Sequence, residues 1–487
     1  MKATGTAGKV TAVVVFVMGV IGIPQAFGDP PCGEWSAVGE GIGDAGLTLI
    51  VFDDGTGEAL YAGGAFLEAG GKTVNCIAKW DGSEWTDLNG GVSSEGQPGM
   101  LSLAVFNDGT GEALYAGGHF DHAGGVPANN IAKWDGTQWS ALGSGIESAP
   151  MSLGVFDDGN GPALYAGGHF EHAGGIPAKN IAKWDGQQWS ALGEGTDGQA
   201  NTLTASDADS DLGAALWVGG VFETAGGVSA YNIAKWDGSE WSALGDGVDE
   251  DVYGLTIFDD GSGDALYVAG EFTTAGEIDA IGMAKWDGSE WSWIGDLWFE
   301  PGEEPGVGYA PIVFDDGAGP ALHMAGCFAS VGDVEALSIA KWDGSEWWPL
   351  DEGIAFEEDP GEVYTAAVWD GWATPAALYV SGDLDAAGGI SVDAIAKWIG
   401  CGVPRCEQIK RFKVKCKPGK FKVKGIVRSD LAQGTVLRLI LDDMDTRVVM
   451  INAKGKGKGK WKGVEQGEHE VCINECPDLC KSTTCNP

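Results

Sequence analysis

The chain has 487 residues, with 71 Asp+Glu against 29 Lys+Arg, for a formal charge of −42. That excludes a nucleic-acid binder built on overall positive charge, while 44% apolar residues and 21 Trp exclude a wholly disordered polyanion. The length suits roughly two to four domains.

The chain opens with Lys2 and Lys9, the apolar run Val10 to Ile23, and Ala26-Phe27-Gly28 before Asp29. The run is shorter than the about 20 residues a membrane-spanning helix needs, so residues 1–28 read as a signal peptide. A mature chain without a transmembrane segment is expected, with a secreted, periplasmic or cell-surface location. Charge then divides the rest. Residues 403–487 hold 18 Lys+Arg and 10 Asp+Glu, a net of +8, whereas the remainder holds 11 against 61, a net of −50. The expected division is 1–28 signal peptide, 29–402 acidic repeat domain and 403–487 basic cysteine-rich domain.

Repetition organises the middle part. The phrase Ile-Ala-Lys-Trp-Asp-Gly, or a close variant, recurs with its tryptophan at Trp80, Trp134, Trp184, Trp236, Trp286, Trp342 and Trp398, spaced by 54, 50, 52, 50, 56 and 56 residues. A period of about 50 with several strands per unit belongs to a repeat architecture. In the third unit four short strands are expected, Met151 to Phe156, Ala163 to Gly167, Ile181 to Trp184 and Trp189 to Leu192, each bounded by Gly, Asp or Asn. Turns such as Asp157-Asp158-Gly159-Asn160-Gly161 tolerate the positive φ that tight hairpins require.

Small pairs close the second strand, Gly63-Gly64, Gly117-Gly118, Gly167-Gly168 and Gly219-Gly220, weakening to Ala269-Gly270, Ala325-Gly326 and Ser381-Gly382; a Trp-Asp pair follows, then a Trp opening the fourth strand. Over about residues 32 to 402 this order resembles kelch repeats of a bacterial-style exported protein. The resemblance implies an all-β fold, a seven-bladed β-propeller closed by the N-terminal strand. Trp398-Ile399-Gly400-Cys401 lacks a fourth strand, and Cys32-Gly33-Glu34-Trp35 supplies one, which places Cys32 and Cys401 near the same turn and predicts a disulfide between them, with Cys401–Cys406 as the rival pairing. Cys76 and Cys327 are expected as isolated thiols. Cys406, Cys416, Cys472, Cys476, Cys480 and Cys485 suit three disulfides of unassigned connectivity in an exported domain.

In the basic domain, Phe412, Val414 and Cys416 alternate with Lys413, Lys415 and Lys417, the pattern of a strand with one apolar and one cationic face. A small Ig-like β-sandwich is expected. Lys454, Lys456, Lys458 and Lys460 extend the cationic face, either as a solvated edge or as a site for an anionic polysaccharide or envelope surface.

Candidate chemistry comes from irregularities in the array. The acidic turns, including Asp53, Asp54, Asp81, Asp157 and Asp158, read first as hairpin chemistry. Asp207, Asp209 and Asp211 alternate as calcium ligands do, without the Gly and terminal acid of an EF-hand, so calcium is the candidate ion at this loop. His119 and His122, with His169 and His172, sit at equivalent places in units two and three, too far apart for one zinc ion. Long connections carry Trp298, Phe299, Glu303 and Glu304, then Phe356, Glu357 and Glu358, where aromatics beside carboxylates suit a sugar or protein partner. No Gly-x-Ser-x-Gly, His-Glu-x-x-His, P-loop or dinucleotide fingerprint occurs. Kelch-like propellers include a copper oxidase, but its tyrosine and histidine ligand set is not assembled from this sequence. The reading is therefore a non-catalytic binding or adhesion protein that presents its rim to protein or glycan. A polysaccharide-active hydrolase or lyase with carboxylates at the mouth, and a calcium-stabilised surface scaffold, stand as alternatives.

Overall fold

The computed structural model describes residues 33–300, 304–357, 359–370 and 376–400, together with the tail strands spanning 411–417, 422–428, 436–441, 445–450, 456–458, 467–473 and 476–485. All regular structure among them is strand, arranged as sixteen antiparallel sheets of two to four strands.

The repeated phrase dictates the main sheet of each unit. In unit one the four strands are Gly46–Asp53, Glu58–Gly64, Ile77–Trp80 and Trp85–Asp87, paired in chain order. The second strand is buried along nearly its whole length because cores lie on both of its faces, so its residues run Ala-Leu-Tyr-Ala without polar alternation. Turn chemistry follows the aspartates. Asp53 Oδ1 accepts from the backbone N–H of Gly55 and Gly57 at 2.8 and 2.9 Å, and Asp81 Oδ1 accepts from Ser83 and Glu84 at 2.8 and 2.9 Å.

Successive units are fastened by the tryptophan that opens the fourth strand. Its indole N–H donates to a backbone carbonyl of the preceding unit: Trp85 to Val38 at 3.1 Å, Trp139 to Leu88 at 2.8 Å, Trp241 to Leu192 at 3.1 Å. The N-terminal strand Gly33–Ala37 pairs with Ile395–Gly400, setting Trp35 opposite Trp398 with ring centroids 5.2 Å apart. Trp35 Nε1 donates to Leu350 O at 3.1 Å, as its counterparts do. The first strands contact one another in chain order, and Gly46–Asp53 also contacts Glu362–Trp369 of unit seven.

The kelch-type seven-bladed propeller expected above is corrected to a coarser description. A unit is not four strands in one sheet. The connection between its second and third strands folds into a further small sheet, as in Glu68–Ala69 with Lys72–Thr73, so that each unit holds at least six strands in two sheets. Among the described residues no sheet closes into a barrel, and the sheets are not hydrogen-bonded to one another. The fold is all-β, built of small antiparallel sheets. In the tail, a three-stranded and a four-stranded sheet are described, with Phe412 to Cys416 in the strand Arg411–Lys417.

One backbone irregularity positions the site described below. Near its start the first strand of every unit carries a β-bulge, which turns out one extra residue: Leu47, Leu101, Met151, Asn201, Tyr253, Tyr309 and Tyr364 in units one to seven. The bulge presses on the end of the second strand. A Cβ at Gly270 would lie 2.1 Å from Asp251 O, and one at Gly382 would lie 1.9 Å from Glu362 O. This is why the second glycine of the small pair is kept in all seven units while the first relaxes to Ala or Ser.

Candidate functional site

Duplication alone would place like residues at the seven bulges. Three neighbouring units depart from that pattern. Tyr253, Tyr309 and Tyr364 are each half-buried and touch in a row, with ring centroids 5.5 Å apart at both contacts and planes tilted by 48° and 58°. Carboxylates flank the outer two rings. The Tyr253 hydroxyl lies 3.1 Å from Asp251 Oδ2 and 3.0 Å from Glu271 Oε2. The Tyr364 hydroxyl lies 2.6 Å from Glu362 Oε2 and 2.9 Å from Asp383 Oδ2. Two residues before the central tyrosine, Val307 pairs with Cys327 of the second strand.

Each phenol holds one proton and donates to one carboxylate oxygen at a time, so its second neighbour is left wanting a donor. Burial, the charge on Asp251 and the hydrogen bond with Glu271 push the Tyr253 phenol well above its ordinary range; burial and bonds with Glu362 and Asp383 do the same at Tyr364. Tyr309 is raised by burial and then by Glu362, Cys327 and Glu271, which places it in the field of both acidic pairs. Burial and Glu362 push the Cys327 thiol up to about 11, so it stays a neutral thiol. The three hydroxyls remain protonated donors at neutral pH.

These four carboxylates differ from the acids of the opposite turns. There, Asp54 Oδ2 accepts from Lys79 Nζ at 2.5 Å and from the Tyr61 hydroxyl at 2.9 Å, and Asp108 repeats the arrangement with Lys133 and Tyr115. Asp158 pairs with Lys183, Asp260 with Lys285, and Asp316 with Lys341. Much of the acidic turn chemistry is thus neutralised internally. Among the described residues, Asp251, Glu271, Glu362 and Asp383 form no ion pair with lysine, arginine or histidine.

The residues singled out from sequence are placed as follows. Trp298 and Phe299 are half-buried on Leu297–Glu300, and Phe356, 42% exposed, is on Ile354–Phe356, in two different small sheets with no ring contact between them. The backbone N–H of Glu357 donates to Asp385 Oδ2 at 3.2 Å; Glu303 lies outside the described residues. His119 and His169 are exposed at the ends of equivalent strands, whereas His122 Nδ1 meets Asp121 Oδ1 at 2.6 Å and His172 Nδ1 meets Glu147 Oε2 at 3.0 Å. The four histidines are not brought together. Asp207 Oδ1 accepts from the N–H of Asp209 and Ser210, and Asp211 Oδ2 accepts from the N–H of Asp264 in the next unit. No group of three His, Cys, Asp or Glu among the described residues is arranged to hold a metal ion. Lys456 and Lys458 are exposed on Lys456–Lys458, which pairs with Lys422–Arg428; Lys454, Lys460, Cys32 and Cys401 lie outside the described residues. Cys76 and Cys327 are free thiols.

The tyrosine row was missed by the sequence analysis, although its signal is there. Each of the three stands six residues before the turn residue Asp259, Asp315 or Asp370, the offset that gives Leu47 before Asp53. Three of only nine tyrosines at one repeat offset in consecutive units is a departure that an aligned reading of the units would have found.

No protein-family model and no curated protein matches the chain. Among solved structures it is similar to the extracellular domain of a hybrid two-component system from B. thetaiotaomicron, at 9% identity and a TM-score of 0.42, over 94% of this chain and 60% of that one. It is similar also to an ancestral GH74 enzyme, at 11% identity and a TM-score of 0.43, over 92% of this chain and 63% of that one. The chain thus spans less than two thirds of either structure. Among the described residues no helix is long and apolar enough to cross a membrane.

The expectation of a non-catalytic protein binding through rim aromatics is corrected by this geometry. Trp298 and Phe356 do not gather into one surface, while two pairs of carboxylates each share a phenol hydroxyl.

Proposed function

We propose that the chain is a polysaccharide-active hydrolase with its reacting centre at the tyrosine row. The observation that carries the reading is the bridging of Glu362 and Asp383 by one phenol, at 2.6 and 2.9 Å, which keeps the two carboxylate oxygens no more than about 5.5 Å apart. Paired acids about 5 to 5.5 Å apart are the arrangement of a retaining glycosidase. In this scheme the Glu362 carboxylate, accepting a hydrogen bond from the Tyr364 hydroxyl at 2.6 Å, attacks the anomeric carbon while Asp383 gives its proton to the leaving oxygen. Water then returns a proton to Asp383 and adds its oxygen to the anomeric carbon, releasing Glu362. Tyr364 shifts its single donated hydrogen bond toward whichever acid is ionised. Tyr309 and Tyr253 supply ring faces for the sugar beside it.

The setting we infer is extracellular or periplasmic, in keeping with the signal-peptide pattern of residues 1–28. The basic domain, with Lys456 and Lys458 exposed, would hold the enzyme at an anionic polysaccharide or envelope surface. The test is release of reducing ends from a panel of soluble polysaccharides. Glu362→Gln and Asp383→Asn are each expected to lower the rate by at least about 100-fold with the fold intact. No release by the wild-type chain from any polymer, or an unchanged rate in Glu362→Gln, would overturn the assignment.

A further inference from the structure

The tyrosine row also carries information about ligand charge. Three π faces are joined by four carboxylates that form no internal ion pair among the described residues, in a repeat domain, residues 29–402, that holds 9 Lys+Arg against 61 Asp+Glu, a net of −52. An anionic sugar would be repelled by both the local carboxylates and the wider field. A neutral sugar would satisfy the lone pairs left over by each phenol but leave the charges unanswered. An ammonium group answers both, since it donates to carboxylates and is attracted to the electron-rich face of an aromatic ring. The aromatic row is the decisive part. Elsewhere in this molecule lysines lie over aromatic rings, with Lys79 Nζ 5.8 Å from the centre of Tyr61 and Lys235 Nζ 5.0 Å from that of Trp217. At the row no described lysine or arginine takes that place, so rings and acids of the same kind stand open to a cation from outside.

We propose that the polymer taken at Tyr253, Tyr309 and Tyr364 is an amino sugar with free amines, bound through its ammonium groups. The sugar half of this statement rests on the hydrolase reading above; the charge half rests on the row itself.

The experiment is titration calorimetry of the full mature chain with three oligomers of equal length: glucosamine, N-acetylglucosamine and glucose, each also assayed for cleavage. The glucosamine oligomer is expected to bind at least about tenfold more tightly than the other two, and that advantage should shrink in about 0.5 M NaCl. Tyr309→Leu installs the residue that units one and two carry at the same bulge, so it tests the ring without a foreign backbone demand. It should lose about tenfold in glucosamine affinity, whereas Tyr309→Phe, which keeps the ring, should lose about threefold at most. Equal affinity for the three oligomers, or equal affinity in Tyr309→Leu, overturns the proposal. Equal binding of oligolysine also overturns it, by showing that charge alone is read. Selective binding of glucosamine without cleavage refutes the hydrolase reading and leaves the charge assignment standing. Cleavage of the glucose oligomer with equal affinity does the reverse.

Discussion

Five units share an acid–lysine pair at the turn between the first two strands, and in four of them a tyrosine hydroxyl completes it, as Tyr61 does for Asp54 and Lys79. Unit six puts His323 in that place. Its ring is fully buried 5.5 Å from the Phe314 ring; Nδ1 lies 3.2 Å from Ala321 O, and Nε2 is without a partner. Burial, and then the Lys341 ammonium, lower its pKa from the ordinary 6.5 to about 4, against the opposing pull of Asp316 and the Ala321 carbonyl. The folded chain therefore refuses a proton that the unfolded chain accepts. Stability from this group is fully present above about pH 6.5 and is lost as pH falls toward 4, amounting to about 2 kcal/mol between pH 7 and pH 5. His323→Tyr removes the orphaned nitrogen and offers Asp316 the hydroxyl that its counterparts receive. The gain should be about 1 to 3 kcal/mol at pH 7, and about 2 kcal/mol more at pH 5. Urea unfolding of both proteins at the two pH values reads the difference. If the variant is less stable at pH 7, or if the two proteins lose equal stability on acidification, the reasoning fails.

Other expectations concern the backbone and the joint between chain ends. Asn130, Asn180 and Asn232 occupy left-handed conformations at one repeat position, where the Asn130 amide donates to Ile146 O at 2.9 Å; Ala394 holds the same position at φ 58°. Ala394→Asn should therefore stabilise the chain by about 1 to 2 kcal/mol, read as a raised urea midpoint. Trp35→Ala deletes a ring buried against Trp398 and the hydrogen bond to Leu350. It should cost about 3 to 5 kcal/mol, whereas Trp293→Ala, at a ring 56% exposed, should change stability by less than about 0.5 kcal/mol.

What could be read from sequence divides along a physical line. Strands, turns and the pairing of Trp35 with Trp398 were legible because each rests on short-range rules repeated seven times: alternation or continuous burial, Asp-Gly turns, and one missing fourth strand matched by one surplus strand. The small sheets were not, since strands of two residues such as His172–Ala173 carry no periodicity to detect. The kelch resemblance rested on the order of glycine and tryptophan motifs, which reports the hairpins and not how the second-to-third connection folds. The site was hidden for a different reason. Composition changes most in the longest connections, which hold Trp298 and Phe356; yet the residues that meet lie in regular strands or at their ends. A bulge turns out Tyr253, Tyr309 and Tyr364 in three adjoining units; the Glu271 N–H, just past the paired strands, donates to Asp251 O at 2.9 Å, and Glu362 stands opposite Asp383 in the strand register. Residues 18 to 21 apart in sequence meet because the small-pair glycine admits the bulge, so Gly382, where a Cβ would lie only 1.9 Å from Glu362 O, fixes the acids as firmly as their own positions do. The same glycine was visible in every unit as a repeat signature. Its meaning needed the partner strand, because a close backbone approach is a property of two segments and is written in neither alone.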